Sequence, residues 1–174
     1  MWRVATILAL VLMALPARAA DDALSVEANQ AFLAANAQKP GVIIRPDGLQ
    51  FKILQNGFGK RPGLTDTVKV YYTGTLINGT LFDGTSPGLP ASFQVNSVIP
   101  GWIEALSIMR EGDHWQLVIP PNLGYGDRGQ GNGIIPPNQD LVFDMTLIST
   151  TPAPKRGEKG YIPDPNDPED QQQQ

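Results

Sequence analysis

Apolar and polar positions alternate along much of the chain after residue 42, and this alternation is the pattern of a half-buried β-strand. Residues 49–54 and 67–72 both alternate with a period of two. Asn78-Gly79 separates two further runs, residues 73–77 and 80–82, and this dipeptide favours a two-residue hairpin turn. The pattern therefore predicts several antiparallel strands, two of which are joined as a hairpin.

Three more segments have the composition of strands. Residues 92–95 form a short run, residues 114–119 alternate, and residues 141–148 are rich in apolar side chains. Successive side chains of a strand point to opposite faces of the sheet. We therefore expect the strand at residues 114–119 to place three side chains on one face of the sheet, those of Trp115, Leu117 and Ile119. The other face would carry His114, Gln116 and Val118.

One segment in the middle of the chain has helical spacing. Residues 101–110 place three apolar side chains on one face, at intervals of four and three: Trp102, Leu106 and Met109. Pro100 lies near the predicted start and Gly112 just beyond the predicted end. The sequence thus predicts an α+β fold, with a single curled antiparallel β-sheet of about five to six strands wrapped around one α-helix.

A short N-terminal helix is predicted over residues 24–38, within a helical segment that covers residues 20–41. Ser25 is a suitable N-cap, and Pro40-Gly41 ends the pattern. A narrow apolar stripe on this helix is expected to pack on the domain or to pair two chains: Leu24, Ala28, Ala31, Phe32 and Ala35. The segment is too short to form a long coiled coil.

The two ends of the chain differ from its body. Residues 1–19 have a positive start, an apolar run over residues 4–15 and a small-x-small site at Ala17-Arg18-Ala19, which indicates a cleaved signal peptide. The run is too short to span a bilayer, so we expect a periplasmic or secreted protein without a stable membrane anchor. Residues 151–174 are rich in proline and end in four glutamines, which is typical of a disordered tail. Residues 42–150 remain as the folded domain.

The composition excludes several functional classes. The chain has 13 Lys and Arg against 17 Asp and Glu, a net charge of −4, so nothing indicates nucleic-acid binding. It has no cysteine, which rules out disulfides, thiol nucleophiles and thiolate metal sites. His114 is its only histidine, and metal sites and hydrolase triads need several such groups close together. We therefore expect neither a metal nor a cofactor.

Five motifs occur in a characteristic order along the chain. They are Val70-Tyr71-Tyr72-Thr73-Gly74, Phe82-Asp83, Val98-Ile99-Pro100-Gly101-Trp102, Tyr125-Gly126, and the run Ile-Ile-Pro-Pro-Asn-Gln-Asp-Leu-Val-Phe-Asp at residues 134–144. Over residues 49–150 this set resembles the FKBP family of peptidyl-prolyl cis-trans isomerases. The resemblance is to the secreted or periplasmic bacterial kind, which is similar to macrophage infectivity potentiators. The family's fold has the architecture that the residue pattern predicts.

The resemblance implies a site and a function. The catalytic residues would be Tyr72, Asp83 and Tyr125, and the substrate-binding residues would be Phe82, Val98, Ile99, Trp102, Ile135 and Phe143. Trp102 would form the floor of a proline pocket, with Ile135 at its rim and the Ile99 N–H as a further donor. The implied partners are proline-containing polypeptides and FK506- or rapamycin-type macrolides.

Two interpretations remain open at this stage. The first is an isomerase that accelerates X-Pro isomerisation in exported proteins. The second is a periplasmic chaperone or binding module whose isomerase activity is incidental, an interpretation that the N-terminal helix, the tail and the glycine-rich loop at residues 127–133 support. On composition alone the pocket residues are also ordinary core residues. The chain departs from the family at Ala91, where a larger side chain is common, and at residues 84–90, which lack a frequent arginine.

Overall fold

The computed structural model describes residues 23–155 and 157–161. Two helices and seven strands follow one another along the chain: α1 (Val26–Ala37), β1 (Val42–Ile44), β2 (Gln50–Gln55), β3 (Thr67–Leu76), β4 (Leu81–Gly84), β5 (Ala91–Gln94), α2 (Pro100–Ile108), β6 (His114–Ile119) and β7 (Leu141–Thr151). Single turns of 3-10 helix, Val95–Ser97 and Pro121–Leu123, precede α2 and follow β6.

The strands form one antiparallel sheet in the order β1-β2-β6-β7-β3-β4, and β5 pairs with the first half of β3. The predicted α+β fold is therefore confirmed, with seven strands in the described residues instead of about five to six. The short strand β1 accounts for part of the difference. The predicted hairpin between β3 and β4 is also present, but its loop has three residues, 77–79, instead of two. The Gly79 N–H donates to the Leu76 carbonyl oxygen and the Leu76 N–H donates to the Thr80 carbonyl oxygen, both at 2.9 Å, and Gly79 takes a positive φ of 84° at the end of the loop.

The core lies between the inner face of the sheet and α2. Trp102, Leu106 and Met109 share one face of this helix as predicted, and all three are buried. On β6, Trp115, Leu117 and Ile119 face this core and are at most 4% exposed, which confirms the predicted alternation. The helix begins with Pro100, whose missing N–H is not needed in a first turn.

Helix α1 differs from the prediction in the face that it buries. Ser25 caps the helix as expected, since its hydroxyl oxygen accepts a hydrogen bond from the Ala28 N–H at 3.1 Å. The predicted apolar stripe is wrong in part: Leu24 packs against the core, but Ala31 and Ala35 are exposed, while Asn29 and Asn36 are each only 3% exposed. The orientation of the helix follows from hydrogen bonds of these two amides to distant residues of the domain.

Some expectations fall on residues outside the described ranges. They include the signal peptide with its cleavage site and the tail from residue 162 onward. The tail begins later than the pattern suggests, because β7 continues to Thr151 and the Ala153 N–H donates to an Asp66 carboxylate oxygen at 3.2 Å. Within the described ranges, neither helix is long and apolar enough to cross a membrane.

Candidate functional site

A cavity of about 400 Å³ opens where β3, β4 and the start of α2 meet. Its floor and walls come from the inner face of the sheet, from the turn before α2 and from the loop that follows β6. The residues that line it are Tyr72, Phe82, Asp83, Phe93, Ser97, Val98, Ile99, Trp102, Tyr125 and Phe143. The lining is thus mainly aromatic and aliphatic, with one carboxylate.

Trp102 lies at the centre of this lining. Its ring meets those of Tyr72, Phe93 and Phe143 nearly edge to face, with centroids 4.9, 5.6 and 5.2 Å apart. Such arrangements are favourable for aromatic pairs and hold each ring in one orientation. Trp102 is only 4% exposed, and its indole N–H has no hydrogen-bond partner among the described residues. The cavity therefore has a rigid aromatic floor.

One wall of the cavity is shaped by the rings of Phe82 and Phe143, which lie close to the backbone of Gly74. A Cβ atom at Gly74 would lie 2.7 Å from the Phe82 ring and 2.8 Å from the Phe143 ring, closer than such contacts allow. The two rings pack edge to face, with centroids 5.5 Å apart, in the space that the absent side chain leaves. Gly74 is therefore required by this packing, since its φ is not positive.

Asp83 and Tyr72 form the polar part of the cavity. The Tyr72 hydroxyl donates a hydrogen bond to one Asp83 carboxylate oxygen at 2.7 Å, and the Gly84 N–H donates to the other at 2.8 Å. Burial raises the pKa of Tyr72, and the hydrogen bond to Asp83 raises it further. The phenol therefore stays protonated at neutral pH and acts as a fixed donor.

Tyr125 also lines the cavity and lies in the loop after β6. The ring is half-buried, and burial, followed by the negative charge of Asp83, raises the pKa of Tyr125. No hydrogen bond of its hydroxyl is formed within the described residues, so the group is free to donate to a bound molecule. Gly124 and Gly126 flank the tyrosine, and the positive φ of 59° at Gly126 suits glycine.

The structure brings eight of the nine expected site residues together in this cavity. Ile135 is the exception: it does not line the cavity but is 5% exposed and belongs to the core. Its backbone exchanges two hydrogen bonds with Gln130, and the neighbouring Ile134 is the exposed side chain of that turn. The rim position expected for Ile135 stays a prediction.

Two lining residues were absent from the expected set. Phe93 follows Ala91 on the same face of β5, so the alternation of that strand could have placed it beside Tyr72, whose ring centroid is 6.0 Å away. Ser97 has no comparable signal in the sequence. Its hydroxyl donates to the Gln94 carbonyl oxygen at 2.8 Å. Among the described residues, no group of three or more Asp, Glu or His side chains could hold a metal ion.

Two family models match the chain. Residues 59–148 match the FKBP-type peptidyl-prolyl cis-trans isomerase family, and residues 6–53 match the domain amino-terminal to FKBP-type peptidyl-prolyl isomerase. The chain belongs to the FKBP-type isomerase family. Both the motif order and the cavity agree with this assignment.

Relatives and solved structures place the chain within this family. It is 53% identical to the outer membrane protein MIP of Legionella longbeachae and 49% identical to the peptidyl-prolyl cis-trans isomerase Mip of Coxiella burnetii. These alignments cover 71% and 72% of this chain but only 53% and 54% of those proteins, so the chain spans about half their length.

Two solved FKBP structures are similar in fold. A peptidyl-prolyl cis-trans isomerase from Pseudomonas syringae has a TM-score of 0.68 and 36% identity, over 80% of this chain and 99% of that one. FkpA from Escherichia coli has a TM-score of 0.71 and 41% identity, over 79% of this chain and 65% of that one.

Proposed function

We propose that this chain catalyses the cis-trans isomerisation of X-Pro bonds in exported polypeptides. The single observation that carries the proposal is the aromatic cavity of about 400 Å³, which has both the Tyr72–Asp83 hydrogen bond and Tyr125 in its lining. Membership of the FKBP-type family supports it. A proline ring is apolar and rigid, and the Trp102 floor offers it a flat hydrophobic contact.

The chemistry needs neither a nucleophile nor a metal. Rotation about an amide bond has a barrier of about 18–20 kcal/mol because it breaks amide resonance. Water stabilises the planar, charge-separated amide more than the twisted transition state, so an apolar pocket that excludes water lowers the barrier. The buried rings around Trp102 would provide this environment.

Two hydrogen-bond donors would orient the substrate, and a carboxylate would orient one ring of the cavity. We assign the Tyr125 hydroxyl and the Ile99 N–H as donors to substrate carbonyl groups, and the Asp83 carboxylate as the acceptor that holds the Tyr72 ring in place. No proton leaves the substrate in this reaction, so Asp83 need not act as a base. The apolar walls formed by Phe82, Val98 and Phe143 would remain after its loss.

The experiment compares the cis-to-trans conversion of a short peptide, with Leu or Phe before proline, for the wild type and two pocket variants. Asp83→Asn and Tyr125→Phe are each expected to lower kcat/KM by about tenfold, since a lost orienting hydrogen bond costs about 1.4 kcal/mol. Asp144→Asn and Tyr71→Phe serve as matched controls, because both residues face away from the cavity. A folded wild type without activity would refute the isomerase proposal.

The same cavity would determine partners and inhibitors. Proline-containing polypeptides are the proposed substrates, and we propose that FK506- and rapamycin-type macrolides compete with them for the aromatic floor. One relative is the outer membrane protein MIP of Legionella longbeachae, and this supports a periplasmic or secreted site of action. A macrolide that leaves the peptide activity unchanged at saturating concentration would contradict the competition.

A second candidate function is a chaperone that binds unfolded apolar segments. The observation that favours it is a separate groove of about 540 Å³, where Phe58 is 93% exposed beside Ile53 and the stacked rings of Phe51 and Trp115. Suppression of client aggregation that survives Asp83→Asn but is lost in Phe58→Ser would support this candidate. Acceleration of a proline-limited refolding step at substoichiometric protein would instead require catalysis.

A further inference from the structure

Amide side chains hold helix α1 against the domain. Asn29 and Asn36 lie two turns apart on α1, and each is 3% exposed. Burial of an amide costs free energy unless it is hydrogen-bonded, so the partners of each asparagine matter for stability. The partners of the two asparagines belong to different parts of the domain.

Asn29 contacts the segment that leads into β7. Its side-chain oxygen accepts a hydrogen bond from the Asp140 N–H at 2.8 Å, and its side-chain nitrogen donates to the Gln139 side-chain oxygen at 3.2 Å. The Gln139 side-chain nitrogen in turn donates to the carbonyl oxygens of Leu24 and Pro137, both at 3.0 Å. We call the Asn29–Gln139 pair, with these four hydrogen bonds, the amide latch. It joins the start of α1 to residues 137–140.

The latch continues to the cavity through the backbone. The Asn138 N–H, within the latched segment, donates to the Gly126 carbonyl oxygen at 2.8 Å, and the Gly126 N–H donates to the Pro121 carbonyl oxygen at 2.9 Å. Gly126 directly follows Tyr125, which lines the cavity. Hydrogen bonds therefore connect α1 to the backbone that carries the Tyr125 hydroxyl.

The loop between these points is rich in glycine. Gly126, Gly129, Gly131 and Gly133 all have positive φ, between 59° and 94°. Glycine loses more conformational entropy on folding than other residues, so contacts outside the loop add to the order that the Gln130–Ile135 hydrogen bonds give it. A fixed segment at residues 137–140 provides a rigid neighbour for the Tyr125 backbone.

We propose that the amide latch makes helix α1 a positioning element of the isomerase site, by which Asn29 and Gln139 hold Tyr125 at the cavity. The proposal rests on the function proposed above and adds a role for the N-terminal segment. Asn29 and Gln139 do not line the cavity, so they act as positioning residues. Loss of the latch loosens the Tyr125 donor and weakens substrate binding, while the apolar walls on β3, β7 and α2 keep the bound substrate dehydrated.

Asn36 provides a matched control on the same helix. Its side-chain nitrogen donates to the Gln50 side-chain oxygen at 2.8 Å, and the Gln50 side-chain nitrogen donates to the Leu33 carbonyl oxygen at 3.0 Å. This pair is also buried, but its hydrogen bonds join α1 to β2 and do not involve residues 137–140. Asn36→Ala therefore reproduces the loss of a buried amide without opening the latch.

The test compares Asn29→Ala, Gln139→Ala and Asn36→Ala in the full chain by three readouts. All three variants are expected to lower the urea midpoint, because each removes a buried amide. Only the two latch variants are expected to raise KM, by about threefold to tenfold with kcat within about twofold. They are also expected to speed hydrogen exchange of the Asn138 N–H, whose own acceptor, the Gly126 carbonyl, is untouched by either substitution.

Several outcomes would overturn the proposal. One is an unchanged KM in a folded Asn29→Ala or Gln139→Ala chain, and another is an equal rise in KM for Asn36→Ala. If the wild type has no isomerase activity, the proposed function fails by itself. The exchange readout then tests the latch separately, because unchanged protection of the Asn138 N–H in both latch variants would show that the latch does not order the loop.

Discussion

Replacement of Asp140 by asparagine is expected to change how the stability of the fold depends on pH. Asp140 is 0% exposed, and neither of its carboxylate oxygens has a hydrogen-bond partner among the described residues. Burial raises the pKa of Asp140 from 3.8 to about 7, because the charged carboxylate is poorly solvated there. The folded chain thus binds this proton more tightly than the unfolded chain does.

The sign and size of the effect follow from this difference in pKa. The protonated Asp140 carboxyl group contributes to the free energy of unfolding. This contribution is fully present below about pH 4 and is lost as the pH rises through about 7, where the folded chain must bury a charge. The whole difference corresponds to at most about 4 kcal/mol of unfolding free energy. Between pH 5 and pH 8 the free energy of unfolding of the wild type should fall by roughly 2 to 3 kcal/mol more than that of Asp140→Asn.

Urea unfolding at pH 5, 6, 7 and 8 measures this difference directly. The difference in unfolding free energy between the wild type and Asp140→Asn at each pH reports on Asp140, because the two chains share all other titrating groups. Asp127→Asn serves as the control, because it removes an exposed carboxylate instead of a buried one. Parallel profiles for Asp140→Asn and the wild type would refute the reasoning, because they would mean that Asp140 titrates as an exposed group.

Two further substitutions test the cavity wall and the N-terminal helix. Gly74→Ala should lower kcat/KM about tenfold or more in the peptide assay, because the new Cβ displaces the rings of Phe82 and Phe143. The control is Gly63→Ala, whose Cβ would make only ordinary contacts and should leave kcat/KM unchanged. Ser25→Ala should reduce the unfolding free energy measured in urea by about 1 kcal/mol, because the Ala28 N–H loses its cap. An unchanged midpoint would mean that the cap does not stabilise the folded chain.

The pocket could be predicted because its signals are local. Trp102 lies on the apolar face of a helix whose ends are marked by proline and glycine, and Tyr72 and Phe82 lie in strands that flank an Asn-Gly turn. Each short motif fixes the local direction of its side chains, and the order of the motifs then brings them together. The packing of Phe82 and Phe143 into the space above Gly74 is a tertiary consequence that no single motif contains.

The docking face of α1 could not be predicted in the same way. Hydrophobic periodicity assumes that the buried face of a helix is apolar, and it therefore favoured Ala31 and Ala35. The buried face instead carries Asn29 and Asn36, which are stabilised by hydrogen bonds to Gln139 and Gln50 far along the chain. Whether an amide can be buried depends on whether distant partners satisfy it, and that information is present only in the folded structure.

Residues 23–53, the described part of the amino-terminal family region, fold together with the isomerase region. The amino-terminal match ends at residue 53, within β2, yet β2 pairs with β6 inside the sheet and stacks Phe51 on Trp115 with ring centroids 4.5 Å apart. Removal of this region would leave β6 as an unprotected edge and uncover Trp115, which is 4% exposed. Since α1 in the same region also forms hydrogen bonds with residues 139 and 140, the proposed amide latch would make the isomerase region depend on its amino-terminal neighbour for the order of the loop that carries Tyr125, as well as for the pairing of β6.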